Sequence, residues 1–109
     1  MFQVESVEQL LIQCAKKKTD ISYSEAMIAL GTTFTRPKMR ELCRVLGEVE
    51  ERGRKNGEPE LAVLVVRGID RLPGDGWWAG RTSYRGEWTG VQAAKYVRRL
   101  QRKAYQYWA

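Results

Sequence analysis

The side chains able to do chemistry are unevenly supplied: nineteen lysines and arginines, thirteen aspartates and glutamates, two cysteines and no histidine. Without histidine the usual general base and the commonest metal ligand are both missing, which argues against acyl-transfer and zinc chemistry. Other routes to catalysis need a nucleophile beside a base, paired carboxylates or a metal cluster, held together. The candidate carboxylates are Glu58 and Glu60, which precede an apolar run, and Asp70 and Asp75, which flank a turn. A nuclease would set Glu60 or Asp70 on a metal beside a lysine or arginine, but turn formation explains the aspartates more simply. Gly74-Asp75-Gly76 lacks the following helix that a phosphate-cradling loop requires. Cys14 and Cys43 lack metal-ligand spacing and fall on apolar faces of expected helices, so both read as buried, reduced thiols. The expectation is of no catalytic residue, no cofactor and no metal: a protein that is not an enzyme.

The chemistry in surplus is anion binding. The formal net charge is +6, which favours polyanionic partners and says nothing about fold. Arg36, Lys38, Arg40 and Arg44 crowd the first half of one expected helix, with Glu48, Glu50 and Glu51 following. Cations at a helix N-terminus oppose the macrodipole, so this order suits an external anion attracted by the free N–H groups there. Ion pairs with Glu41 and Glu48 are the structural alternative. Near the end of the chain Lys95, Arg98, Arg99, Arg102 and Lys103 are the only charges of another expected helix. A scaffold helix normally mixes signs, so this one is a candidate anion-binding face. Arg81 and Arg85 lie in a Gly-, Arg- and Tyr-rich stretch, with Trp77, Trp78 and Trp88 around it and Trp108 near the terminus.

Local patterning predicts the elements that position these residues. Ser6 with Gln9, and an apolar stripe of Leu10, Leu11 and Cys14, predict a first helix over about 7–18 that ends in Lys16-Lys17-Lys18. Ser22 with Glu25 opens a short second helix that Gly31 stops. Thr35 and Pro37 open a long third helix ended by Gly57, with Met39, Leu42, Leu46 and Val49 as its buried stripe. Leu61–Val66 is short, β-branched and bounded by turn residues, so it reads as a buried strand. After the turn at Leu72–Gly76, Trp77-Trp78 begins a returning strand of a hairpin or an irregular wing. Thr89 with Gln92 opens the last helix, to about Tyr107. The expected fold is α+β and mostly helical: a helix-turn-helix-like three-helix core, a small β-hairpin wing and a basic C-terminal helix, in one winged-helix-like domain over 1–109. No signal-peptide pattern or membrane-length apolar run is present, so a reducing, cytoplasmic setting is the default expectation.

From Ile21 to Trp78 the order of features resembles the DNA-binding domain of alkylguanine-DNA alkyltransferases and alkyltransferase-like proteins. Ile21-Ser22-Tyr23-Ser24-Glu25-Ala26-Met27 is similar to that family's T-x-Y-x-x-[LI]-A opening. Arg40-Glu41-Leu42, with Val45-Leu46, is similar to its arginine followed by R-A-V-G-x-A-L. Pro59–Val66 and Leu72–Trp78 stand where the family has P-x-x-x-P-C-H-R-V-V and a glycine-rich wing. The resemblance implies a winged-helix domain that inserts a helix into the minor groove, with Arg40 in the place of the arginine that props open a flipped base. The Pro-Cys-His-Arg core is absent, the nucleophilic cysteine's place falls near Ala62, and the third helix is longer than the family's. Alkyl transfer is therefore excluded.

Together these features predict a non-catalytic module that binds nucleic acid, with duplex DNA favoured. Its candidate contacts are Arg36, Lys38, Arg40, Arg44, Arg81, Arg85, Lys95, Arg98, Arg99 and Arg102. The alternative is a small adaptor or inhibitor, of the kind phages and mobile elements encode, docking on an acidic surface of a host complex. Trp77, Trp78, Trp88 and Trp108 would then be its interface anchors, since Trp and Arg dominate binding hot spots. Neither reading calls for a membrane or a small-molecule substrate.

Overall fold

Capping chemistry sets most of the helix boundaries. A computed structural model describes residues 2–109 and orders them as α1 (Val4–Lys16), β1 (Ile21–Ser22), α2 (Tyr23–Ala29), α3 (Arg36–Lys55), a 3-10 turn (Ala62–Leu64) leading into β2 (Val65–Val66), α4 (Asp75–Trp78) and α5 (Gly90–Tyr107). The architecture is α+β and mostly helical. At α2 the Ser22 hydroxyl accepts the Glu25 N–H at 3.1 Å while the Glu25 carboxylate accepts the Ser22 N–H at 2.8 Å, the reciprocal box expected from the sequence. The Thr35 hydroxyl accepts the Lys38 N–H at 3.2 Å at the start of α3. α1 begins earlier than expected, with Gln3 as N-cap and no role for a Ser6 box. That start puts Phe2 and Val7, both buried, at the spacing of a hydrophobic staple, and their burial outweighs the polar cap.

Three helices close in the same way. The N–H groups of Thr19, Thr32 and Glu58 reach back to the carbonyls of Cys14, Met27 and Gly53, and those of Lys18, Gly31 and Gly57 to Ala15, Ile28 and Arg54. This Schellman geometry requires a left-handed residue, normally glycine. Gly31 and Gly57 fill it at φ 89° and 70°, but α1 uses Lys18 at φ 56°.

Leu61–Val66 is buried throughout, as its composition predicts, but it is not a six-residue strand. Only Ile21 with Val65 and Ser22 with Val66 pair, in parallel. The partner strand stops there because the capping box turns the chain into α2 at Tyr23. The remaining polar backbone of the buried run needs other partners. One carboxylate oxygen of Glu50 accepts the N–H groups of Leu61 and Ala62 at 2.9 and 3.1 Å, the Leu64 N–H folds back to the Leu61 carbonyl, and the Gln101 amide donates to the Val63 carbonyl at 3.0 Å. The 3-10 turn thus lies at the centre of the molecule, touching α1, α3 and α5.

The expected β-hairpin wing is not formed. Asp75–Trp78 is one helical turn, and 79–89 is irregular. Trp78 decides this: only 2% of it is exposed, its indole N–H donates to the Pro73 carbonyl at 3.0 Å, and it packs edge-on to Trp77 with centroids 4.8 Å apart. A pleated strand would send these neighbouring rings to opposite faces.

Candidate functional site

α5 carries the largest group of unpaired cations among the described residues. Ala93, Tyr96, Val97, Gln101 and Ala104 face the core, and Leu100 packs partly buried against it. Lys95, Arg98, Arg99, Arg102 and Lys103 are all exposed. At 3.6 residues per turn these cations span about 140° of the helix, centred opposite the buried stripe. None has an ion-pair partner among the described residues. Arg99 also lies over the Tyr96 ring, 5.4 Å from its centroid.

The cations at the start of α3 divide into two kinds. Arg44 grips Glu41 with two guanidinium nitrogens, at 2.7 and 3.0 Å, and Glu48 at 3.0 Å. Lys38 donates to the Thr32 hydroxyl. Arg36 and Arg40 are exposed and form no ion pair among the described residues. The start of α3 therefore presents three cations without an ion pair among the described residues, Arg36, Lys38 and Arg40, rather than four. α1 packs against both α3 and α5.

The Trp-rich segment folds largely inward. Arg81 holds both oxygens of Glu60, at 2.6 and 3.0 Å, and stacks on the Trp77 ring at 3.7 Å. It is a structural clamp and leaves little of its charge for a partner. Trp78, Tyr84 and Tyr96 form a close aromatic group, and Trp77 and Trp108 are half-buried. Of the four tryptophans, Trp88 alone counts as an exposed large side chain, at 40%; it stacks nearly parallel to Trp78. Arg85 is exposed in the same loop.

A cavity of about 320 Å³ lies between α3 and the 74–81 segment, lined by Tyr23, Met39, Cys43, Glu50, Ala62 and Trp77 among others. Cys43, expected to be buried, is exposed as a residue because it lies beside the Leu42, Val45, Leu46, Val49 stripe. Partial burial still pushes its thiol above the ordinary range, which keeps it protonated and poorly nucleophilic at neutral pH. The Glu50 carboxylate is committed to backbone N–H groups, Glu60 to Arg81, and Asp70 to Arg67 at 3.0 Å. Among the described residues no three metal-ligating side chains come together, and no helix is long and apolar enough to cross a membrane.

Glu50 and Gln101 were not singled out from sequence, yet they complete the hydrogen bonding of the buried run. Gln101 carries a readable signal: it is a polar residue on the buried stripe, four after Val97 and three before Ala104. Glu50 carries none, since its position beside a solvated charge run looks ordinary. Protein-family models, curated proteins and solved structures show no match to this chain.

Proposed function

We propose that this protein is a non-catalytic module that binds nucleic acid, duplex DNA above all, through its phosphates, with α5 as the contact surface. The observation that carries the reading is the unpaired, single-sign face of Lys95, Arg98, Arg99, Arg102 and Lys103, set on a helix whose other side is locked into the core. Such contacts position a protein on nucleic acid without reading its sequence. We further read α2, α3 and the irregular 79–89 loop as a winged-helix-like arrangement, with Arg36, Lys38, Arg40 and Arg85 as secondary contacts. Two segments that resemble the alkyltransferase family, at Ile21–Ser22 and Val65–Val66, pair with each other, and Ala62 lines a cavity with Tyr23. Both facts support that reading. The test is charge reversal at Arg98 and Arg99. R98E/R99E should weaken duplex binding at least tenfold at low salt and reduce the salt slope by roughly 2. Unchanged affinity in that variant would refute the assignment.

A second reading, docking on an acidic protein surface, is favoured by Trp88 at 40% and Val91 at 73% exposure at the start of α5. It predicts one stoichiometric protein partner whose capture survives nuclease treatment and is lost in W88A.

A further inference from the structure

A concavity of about 380 Å³ opens where the end of α1, the turn after β2 and α5 meet, and four cationic side chains line it: Lys18, Arg71, Arg98 and Arg102. They arrive from three chain-distant segments. The one carboxylate in the lining, Asp20, is taken by Arg71 at 2.5 Å, and Arg71 also reaches Glu25 at 3.4 Å. Lys18, Arg98 and Arg102 therefore face the concavity with no ion-pair partner among the described residues. Arg98 and Arg102 stand one turn apart, where like charges repel.

The backbone around this concavity is costly to build. Lys18 and Arg71 are the two non-glycine residues with left-handed backbone among those described, at φ 56° and 57°, and both line it. At the equivalent helix ends the chain uses Gly31 and Gly57. The supports are rigid. Arg71 lies in a loop closed by the Arg67 N–H to the Leu72 carbonyl at 2.8 Å and by the Arg71 N–H to the Arg67 carbonyl at 2.9 Å. Gln101, also in the lining, is 2% exposed and fixed to the Val63 carbonyl. Converging cations on a preformed frame, in excess of their carboxylate, match a tetrahedral oxyanion.

We infer that this concavity is a discrete binding site for a single phosphate group, held by Lys18, Arg98 and Arg102 with Arg71 as a charge braced by Asp20. The inference deepens the proposed function and rests on it for the source of the phosphate, a nucleic-acid backbone, but not for the chemistry of the site.

The test compares two variants of the full chain that each lose two positive charges: K18Q/R102Q within the concavity and K95Q/R99Q outside it. Inorganic phosphate is titrated while backbone amide shifts are followed by NMR, and a labelled duplex is titrated in parallel. All four residues are exposed, so folding is expected to survive and thermal melts verify it. The inference predicts saturable phosphate shifts centred on Lys18, Thr19 and Gln101, weakened about tenfold or more in K18Q/R102Q and little changed in K95Q/R99Q. Shifts that never saturate, or that weaken equally in both variants, overturn it in favour of a diffuse field. Duplex binding that survives such a result leaves the proposed function standing without this site. Saturable phosphate binding in a protein that ignores the duplex supports the site, assigns it to a free phosphate or phosphomonoester, and removes the proposed function.

Discussion

Glu50 is the residue on which the buried centre depends. Its carboxylate accepts two N–H groups that no strand partner reaches. E50A strands both and should cost about 2–4 kcal/mol, read as a lower midpoint in urea. Burial raises the Glu50 pKa, against the pull of the Leu61 and Ala62 N–H groups. The folded state thus holds a proton at this position more tightly than the unfolded chain. The associated stability is present below the ordinary carboxylate range and is lost as pH rises through the raised value. Wild type should therefore lose stability relative to E50Q as pH rises above the ordinary carboxylate range, and parallel pH profiles for the two proteins would contradict this. Gly74 and Tyr23 form a second coupled pair. The Tyr23 hydroxyl accepts the Gly74 N–H at 3.0 Å, and a Cβ on Gly74 would meet that same oxygen at 3.0 Å. G74A should cost about 1–3 kcal/mol in wild type and less than half of that in Y23F, where the obstructing oxygen is gone. Additive costs across this double-mutant cycle would refute the contact.

The α1 terminus joins stability to the phosphate site. Lys18 sits in the left-handed position of a Schellman closure, where a side chain costs about 1–2 kcal/mol relative to glycine, partly offset by the greater unfolded-state entropy of glycine. K18G should raise stability by about 0.5–1 kcal/mol while weakening phosphate binding, and a destabilised K18G would contradict the backbone argument. Helix ends like these were legible in the sequence because their determinants are local: the Ser22–Glu25 box, Thr35 before Pro37, Gly31 and Gly57. The burial of Leu61–Val66 was legible too, since its composition dictates it. Its conformation was not, because a strand needs a partner and β1 stops at Ser22, where the capping box begins α2. The hairpin expected at Trp77-Trp78 failed for a related reason: both rings pack near each other only in a helical turn. Of the candidate site, the α5 face was readable from periodicity and charge sign. The commitment of Arg44 to Glu41 was foreseeable from its spacing, whereas that of Arg81 to Glu60 was not, because the partners lie far apart in the chain.

Among the described residues ten of the thirteen carboxylates are held in ion pairs. Glu41 and Glu48 hold Arg44, Glu5 and Glu8 hold Arg52, Glu51 holds Arg54, Asp70 and Asp75 hold Arg67, Asp20 and Glu25 hold Arg71, and Glu60 holds Arg81. The net charge of +6 is thus not spread evenly: free cations gather on α5, with smaller groups at Lys16, Lys17 and Lys18 on the end of α1, at the start of α3 and in the 79–89 loop. Such a distribution steers a polyanion to one helix face before any specific contact forms. If α5 neutralises about five phosphates, the slope of log affinity against log salt should be about −4 to −5. The measurement that tests this most directly is fluorescence anisotropy of a labelled 20-mer duplex across a salt series, with single strand and heparin as competitors. The account predicts micromolar or tighter binding at low salt, a slope in that range and a preference for duplex over heparin. No binding at low salt, or a slope flatter than about −2, would contradict it and turn attention to a protein partner.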